Sequence, residues 1–283
     1  MSWRNSGQLL LAAIGSAALA VRLDSQSGWI EAKLPRFSIL YQAGLEKDVP
    51  VVRGWVEYAE RLMEQKYRVK LEHYRLSIFL FPAPTSDIDV NRARNICCSA
   101  GTGRDSTGRI DMLAPSSEAM RTTTERSSLG MPKNDTSYDA KILVSEYIPI
   151  AHYEVQNQRQ GGWHYYDAPN WFVQGLQEYD AIVHTTERNR SETAQRLLEW
   201  AKGHPNAFGC CDPDLIIRDD YNGGASFMAF LATEFGEDIH RRLLASEAPT
   251  FRAALTEVTK PYSRTDLFAR FEGWLRSPRL PPS

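Results

Sequence analysis

The chain has 283 residues, 42% apolar and 24% charged, a composition that can bury a sizeable core and excludes a disordered tail or a disulfide mini-scaffold. Lys and Arg total 33 against 35 Asp and Glu, a net charge of -2. That balance lacks the basic footprint of a nucleic-acid binder, and no run of like charge marks an anionic membrane surface.

In chain order, Leu9 to Val21 is almost continuously apolar, and Ala18-Leu19-Ala20 fits a small-x-small cleavage site. The run is shorter than the ~20 residues of an ordinary spanning helix and sized for a signal-peptide core. Residues 1–20 therefore read as a signal peptide or a short N-terminal anchor, and the protein as exported. Membrane contact is expected only through this segment, if it stays uncleaved. Arg36–Tyr41 alternates, with Phe37, Ile39 and Tyr41 on one face, as a half-buried strand does. Val52, Trp55, Val56, Ala59, Leu62 and Met63 recur at helical spacing and end in the charged segment Glu64–Lys66. Tyr74–Phe81 alternates again and stops at Pro82.

Between Pro82 and Asp139 the composition turns polar, with one short strand candidate at Arg109–Ala114. So long a connection is unusual inside a compact domain and reads as a lid, a binding loop or a partly disordered segment. Two adjacent cysteine pairs, Cys97-Cys98 and Cys210-Cys211, cannot easily chelate one ion or bond within a pair without strain. In an oxidising compartment, cross-links between the two pairs are expected, with the connectivity left open. Helices are predicted over Tyr138–Glu154, Trp171–Val183, Glu192–Lys202, Gly224–Glu234, Ile239–Ala245, Thr250–Val258 and Asp266–Leu275. Ser263 and Asp266 stand as a capping box for the last. Mixed strands and helix first, helices afterwards, is an α+β order.

The stretch Lys141-Ile-Leu-Val-Ser-Glu-Tyr-Ile-Pro-Ile-Ala-His152, with Ala168-Pro-Asn-Trp-Phe-Val-Gln-Gly-Leu-Gln-Glu-Tyr179 after it, resembles the zinc site of gluzincin metallopeptidases. The likeness is to bacterial peptidase MA-like domains related to thermolysin and the zinc aminopeptidases. It extends through Tyr221–Gly236, Phe251–Leu255 and Phe271–Arg276, covering roughly residues 33 to 278. It implies one peptidase MA-like domain over 21–283, with an α/β part at about 33–135 and a helical part at about 136–278. In such a site two histidines at i and i+4 hold zinc, the Glu beside the first activates water, and a Glu on the next helix is the third ligand.

Here the histidine positions are Ser145 and Pro149, and the third-ligand position is Gln174; only the general-base position, Glu146, matches. Serine and glutamine are poor zinc ligands, and proline has no side-chain donor. Pro149 also removes a helical hydrogen bond to the Ser145 carbonyl, which predicts a kinked or broken helix. His152, Glu154, His164, Glu178 and His184 are near in sequence, but no His-x-x-x-His pair exists, and His152 reads as a surface or cap residue. No metal and no cofactor are expected. The resemblance implies a catalytically inactive metallopeptidase-like protein in the bacterial periplasm or cell envelope. It would bind a protein or serve as an accessory or structural subunit of a larger complex, with Trp163, Tyr165 and Tyr166 as a binding surface. The alternative is an active peptidase with unusual or relocated metal ligands.

Overall fold

The computed structural model describes residues 20–24, 28–83, 100–102, 107–117, 136–159, 161–164, 168–183, 187–204 and 221–280. The four cysteines, Tyr165, Tyr166, His184 and residues 1–19 lie outside these, as does most of Pro82–Asp139. The fold is α+β, and the chain divides into two compact units. The first comprises residues 1–54 and 74–123, the second residues 55–73 and 124–283.

The first unit is built on a six-stranded sheet in the order β1-β2-β3-β4-β6-β5. Its strands are β1 (Ala20–Asp24), β2 (Trp29–Lys33), β3 (Phe37–Tyr41), β4 (Arg75–Phe81), β5 (Ala100–Thr102) and β6 (Thr107–Leu113). The centre, β3-β4-β6, is parallel, and β1, β2 and β5 flank it antiparallel. Alternation fixes the register: Ile39 faces Ile78, and Ile78 faces Ile110, all essentially inaccessible to solvent. Parallel neighbours need a crossover, supplied between β3 and β4 by helix α1 (Val49–Tyr67). At the start of α1 the buried carboxylate of Asp48 accepts from the Ser116 N–H at 2.9 Å and its hydroxyl at 2.7 Å. Ala20, the last residue of the expected leader, and the four residues after it form strand β1.

The second unit is helical. It holds the rest of α1 together with α2 (Thr136–Asn157), α3 (Asn170–Val183), α4 (Glu187–Gly203), α5 (Asn222–Phe235), α6 (Ile239–Ala245), α7 (Phe251–Val258) and α8 (Arg264–Arg276). Helix α5 is apolar nearly all round and buried along most of its length, so it is the core helix of the unit. It crosses α3 with no room for side chains at Gly175 and Gly224, where an added Cβ at Gly175 would stand 2.3 Å from the Gly224 carbonyl carbon. The predicted capping box holds: Ser263 Oγ accepts from the Asp266 N–H, and the Asp266 carboxylate accepts from the Ser263 N–H. Among the described residues no helix is long and apolar enough to cross a membrane.

Two expectations are corrected here. Of the kink or break expected at Pro149, the break does not occur: helix α2 runs through it without interruption. Tyr147, Ile148, Ile150 and Ala151 are all buried around the proline, and that packing offsets the ~3 kcal/mol cost of a mid-helix proline. The second unit also takes in residues 55–73, which sequence order alone places with the strands on either side.

Candidate functional site

Helices α2 and α3 pack against each other and carry the four positions at which the sequence resembles a metal motif. Ser145 and Glu146 on α2 and Gln174 on α3 are half-buried, while Pro149 is buried. The donor set does not fit zinc: a hydroxyl, an amide and a ring without donors stand where imidazoles and a carboxylate are needed. Among the described residues no three of His, Cys, Asp and Glu are placed to share a metal ion. Glu146 is pushed up to about 7 by burial, and among the described residues no side chain hydrogen-bonds its carboxylate. Around neutral pH it is partly protonated. A carboxylate alone can take a proton from water only weakly, because it does nothing to acidify that water.

The more elaborate polar arrangement lies elsewhere in the helical unit, and its centre is absent from the sequence reading. Lys66 at the end of α1 makes an ion pair with Asp180 of α3, both nearly or wholly buried. The Tyr67 hydroxyl donates to the other oxygen of Asp180 at 2.5 Å. Its phenol oxygen then faces His152 Nε2 at 3.4 Å, with the two rings edge to face. Lys66 also lies over the Tyr179 ring at 5.2 Å, and the Tyr179 hydroxyl donates to Glu237 at 2.9 Å. On the same helix as His152, the buried Glu154 carboxylate accepts from the His73 backbone N–H at 2.7 Å and meets His73 Nδ1 at 2.9 Å.

His152, read as a surface or cap residue, is completely buried. Burial, and secondly the Lys66 ammonium, hold its pKa well below the ordinary value, so the ring is neutral at neutral pH. His152 and Glu154, weighed in the sequence as possible relocated ligands, are turned to different partners, Tyr67 and His73. Lys66 and Asp180 had a sequence signal. Met63 is followed at helical spacing by Lys66 and Tyr67, and Phe172 and Leu176 by Asp180, so each charge sits on an apolar stripe.

The aromatic residues proposed as a binding surface divide differently. Trp163 is 2% exposed, with its ring 5.3 Å from Phe251 and 5.7 Å from Phe172, and its backbone N–H donates to the Ala248 carbonyl. Its ring is therefore core and is not presented to a partner, which corrects that expectation. Trp171 is buried in the same cluster, 5.4 Å from Phe227. Tyr165 and Tyr166 lie outside the described residues. No family model matches this chain, and neither does any curated protein.

Proposed function

We propose that this chain is a catalytically inactive, gluzincin-like protein that acts as a protein-binding or accessory subunit of a larger assembly in the bacterial periplasm or cell envelope. The observation that carries this reading is a helix pair, α2 on α3, whose three metal-ligand positions hold Ser145, Pro149 and Gln174. Glu146 remains at the position of the base, and among the described residues no three of His, Cys, Asp and Glu are placed to hold a metal ion that would activate water. The apolar segment Leu9–Val21 supports export.

The test joins hydrolysis to recovery of the partner. The full chain, purified without chelators, is assayed on a peptide library with and without added zinc, and its companions from the native source are identified by mass spectrometry. The expected result is no turnover, less than a tenth of a zinc per chain as an order of magnitude, and a reproducible protein companion retained by Glu146→Gln. About one zinc per chain, with hydrolysis abolished by Glu146→Gln, overturns the proposal. Combining Ser145→His, Pro149→His and Gln174→Glu should confer zinc affinity, since all four positions lie on two packed helices.

A further inference from the structure

Two adjoining pockets of about 270 and 350 Å³ open on either side of Arg68 in the helical unit. Their floor is apolar and buried, made by Tyr67, Val69 and Val155. Their walls are cationic and amide-bearing, with Arg61, Arg68, Arg159 and Arg241 set beside Gln65 and Gln158. An apolar floor under a polar, charged rim is the usual build of a groove that takes a chain segment.

The cations are not equivalent. Arg241 is held by Asp238 through two hydrogen bonds of 2.8 and 3.0 Å. Arg159 lies over the Trp163 ring and donates to the Ser246 carbonyl. Lys70 stands 3.8 Å from Glu72. That leaves Arg61, an exposed side chain, and Arg68, 70% exposed and reaching Asp238 only at 3.9 Å. The two are seven residues apart, so their Cα atoms are about 10 Å apart along the axis of α1.

Arg68 adds an independent observation. Its φ is 52°, the only positive φ at a non-glycine among the described residues. It directly follows the last residue of α1, a position that glycine ordinarily fills because a Cβ is strained there. An arginine kept in a strained backbone, with its head group in solvent between two pockets, signals use of the side chain.

We infer that this surface binds an acidic, extended peptide segment of a protein partner, with carboxylates of the peptide paired to Arg61 and Arg68. The inference rests on the reading of the chain as a protein-binding subunit and supplies the chemistry of the partner. Guanidinium groups match carboxylates in paired hydrogen bonds. Glu64 and Glu247 also line the pockets, and Glu64 already accepts from the Leu71 N–H at 3.2 Å. Glu64 and Glu247 repel every anion, peptide carboxylates included, and most of all a nucleic-acid backbone or a layer of lipid phosphates, in which every unit is charged. A peptide brings N–H donors as well, which these carboxylates and the glutamine amides can meet.

The experiment is fluorescence anisotropy of a labelled peptide of alternating Glu and Gly with the full chain, alongside a Lys-Gly peptide and phosphatidylglycerol vesicles. The acidic peptide should bind, weaken as salt is raised, and lose about tenfold in affinity in Arg61→Glu and in Arg68→Gly. Arg68→Gly relieves the backbone strain, so its melting temperature should be unchanged or raised; a loss of binding is then not a loss of fold. No binding of the acidic peptide, equal binding by both variants, or binding of vesicles without peptide overturns the inference. If the peptide fails while the native companion still co-purifies, the inference falls and the accessory reading stands. If the peptide binds but zinc-dependent hydrolysis is found, the accessory reading falls and the groove remains.

Discussion

Glu146 keeps its proton up to about pH 7 in the folded chain, against an ordinary glutamate value of 4.5. A carboxyl with a raised folded pKa stabilises fully below its unfolded value, and the advantage is lost as pH climbs through 7. The difference corresponds to a ceiling of about 3 kcal/mol. Glu146→Gln should therefore match the parent in urea denaturation near pH 4 and exceed it by about 1–3 kcal/mol at pH 8.5. Equal stabilities at both pH values would mean that Glu146 is ionised at no cost. His152 works in the opposite direction. Its folded pKa lies well below 6.5, so its contribution is intact above 6.5 and drains away as pH falls. The two slopes oppose each other between pH 4.5 and 6.5. His152→Gln should leave a chain whose stability no longer drops on this account below pH 6.5, measured by the same denaturation series. The burial of His152 was not legible from its neighbours in sequence. Residue type and spacing place Glu146 and His152 on α2, but how much protein closes over each depends on α1 and α3, whose approach the local pattern does not encode.

At the scale of elements, periodicity carried the reading where one face was buried. Strands β3, β4 and β6 alternate because the sheet buries Ile39, Ile78 and Ile110 in register. Strand β2 (Trp29-Ile-Glu-Ala-Lys33) does not, since three of its five residues are only half-buried and Ala32 alone is buried. It escaped notice for that reason. The crossing of α3 and α5 escaped for another. Gly175 sits in the segment that resembles the third-ligand motif, and Gly224 lies in the next matching helix, so both read as family pattern. Their physical role is contact: a Cβ on Gly224 would come within 2.1 Å of the Trp171 carbonyl oxygen. Glycine in a helix interior ordinarily costs ~1 kcal/mol relative to alanine. Here the sign reverses. Gly175→Ala or Gly224→Ala should force the helices apart and destabilise by ~1–3 kcal/mol or more, an overpacking magnitude. Thermal melts in which either alanine stabilises would show that the crossing has slack.

For the whole molecule, the order of strands and helices announced the α+β class, whereas the division into units did not follow chain order. The helical unit is discontinuous. It borrows residues 55–73, and with them Lys66, Tyr67 and His73, which neutralise or hydrogen-bond Asp180 and Glu154 in its interior. Removing the partner of a buried charge costs ~3–5 kcal/mol, a large part of the stability of an ordinary domain. A fragment of residues 124–283 should therefore fail to give a cooperative melt or dispersed amide resonances, although it contains seven of the eight described α-helices. A cooperative melt of that fragment would show that the polar network is dispensable.

That loan of residues 55–73 also sets a timetable. Tyr67 leaves the ribosome 113 residues ahead of Asp180, the carboxylate that accepts its hydrogen bond. At ~5–20 residues per second, the interval is on the order of ten seconds. Throughout it the lysine, the phenol and the apolar stripe of α1 are exposed without the helices that will enclose them. The helical unit cannot close until α3 has been made, so it is assembled late and from distant pieces, and a nascent chain of this protein offers holding chaperones a long unfolded window.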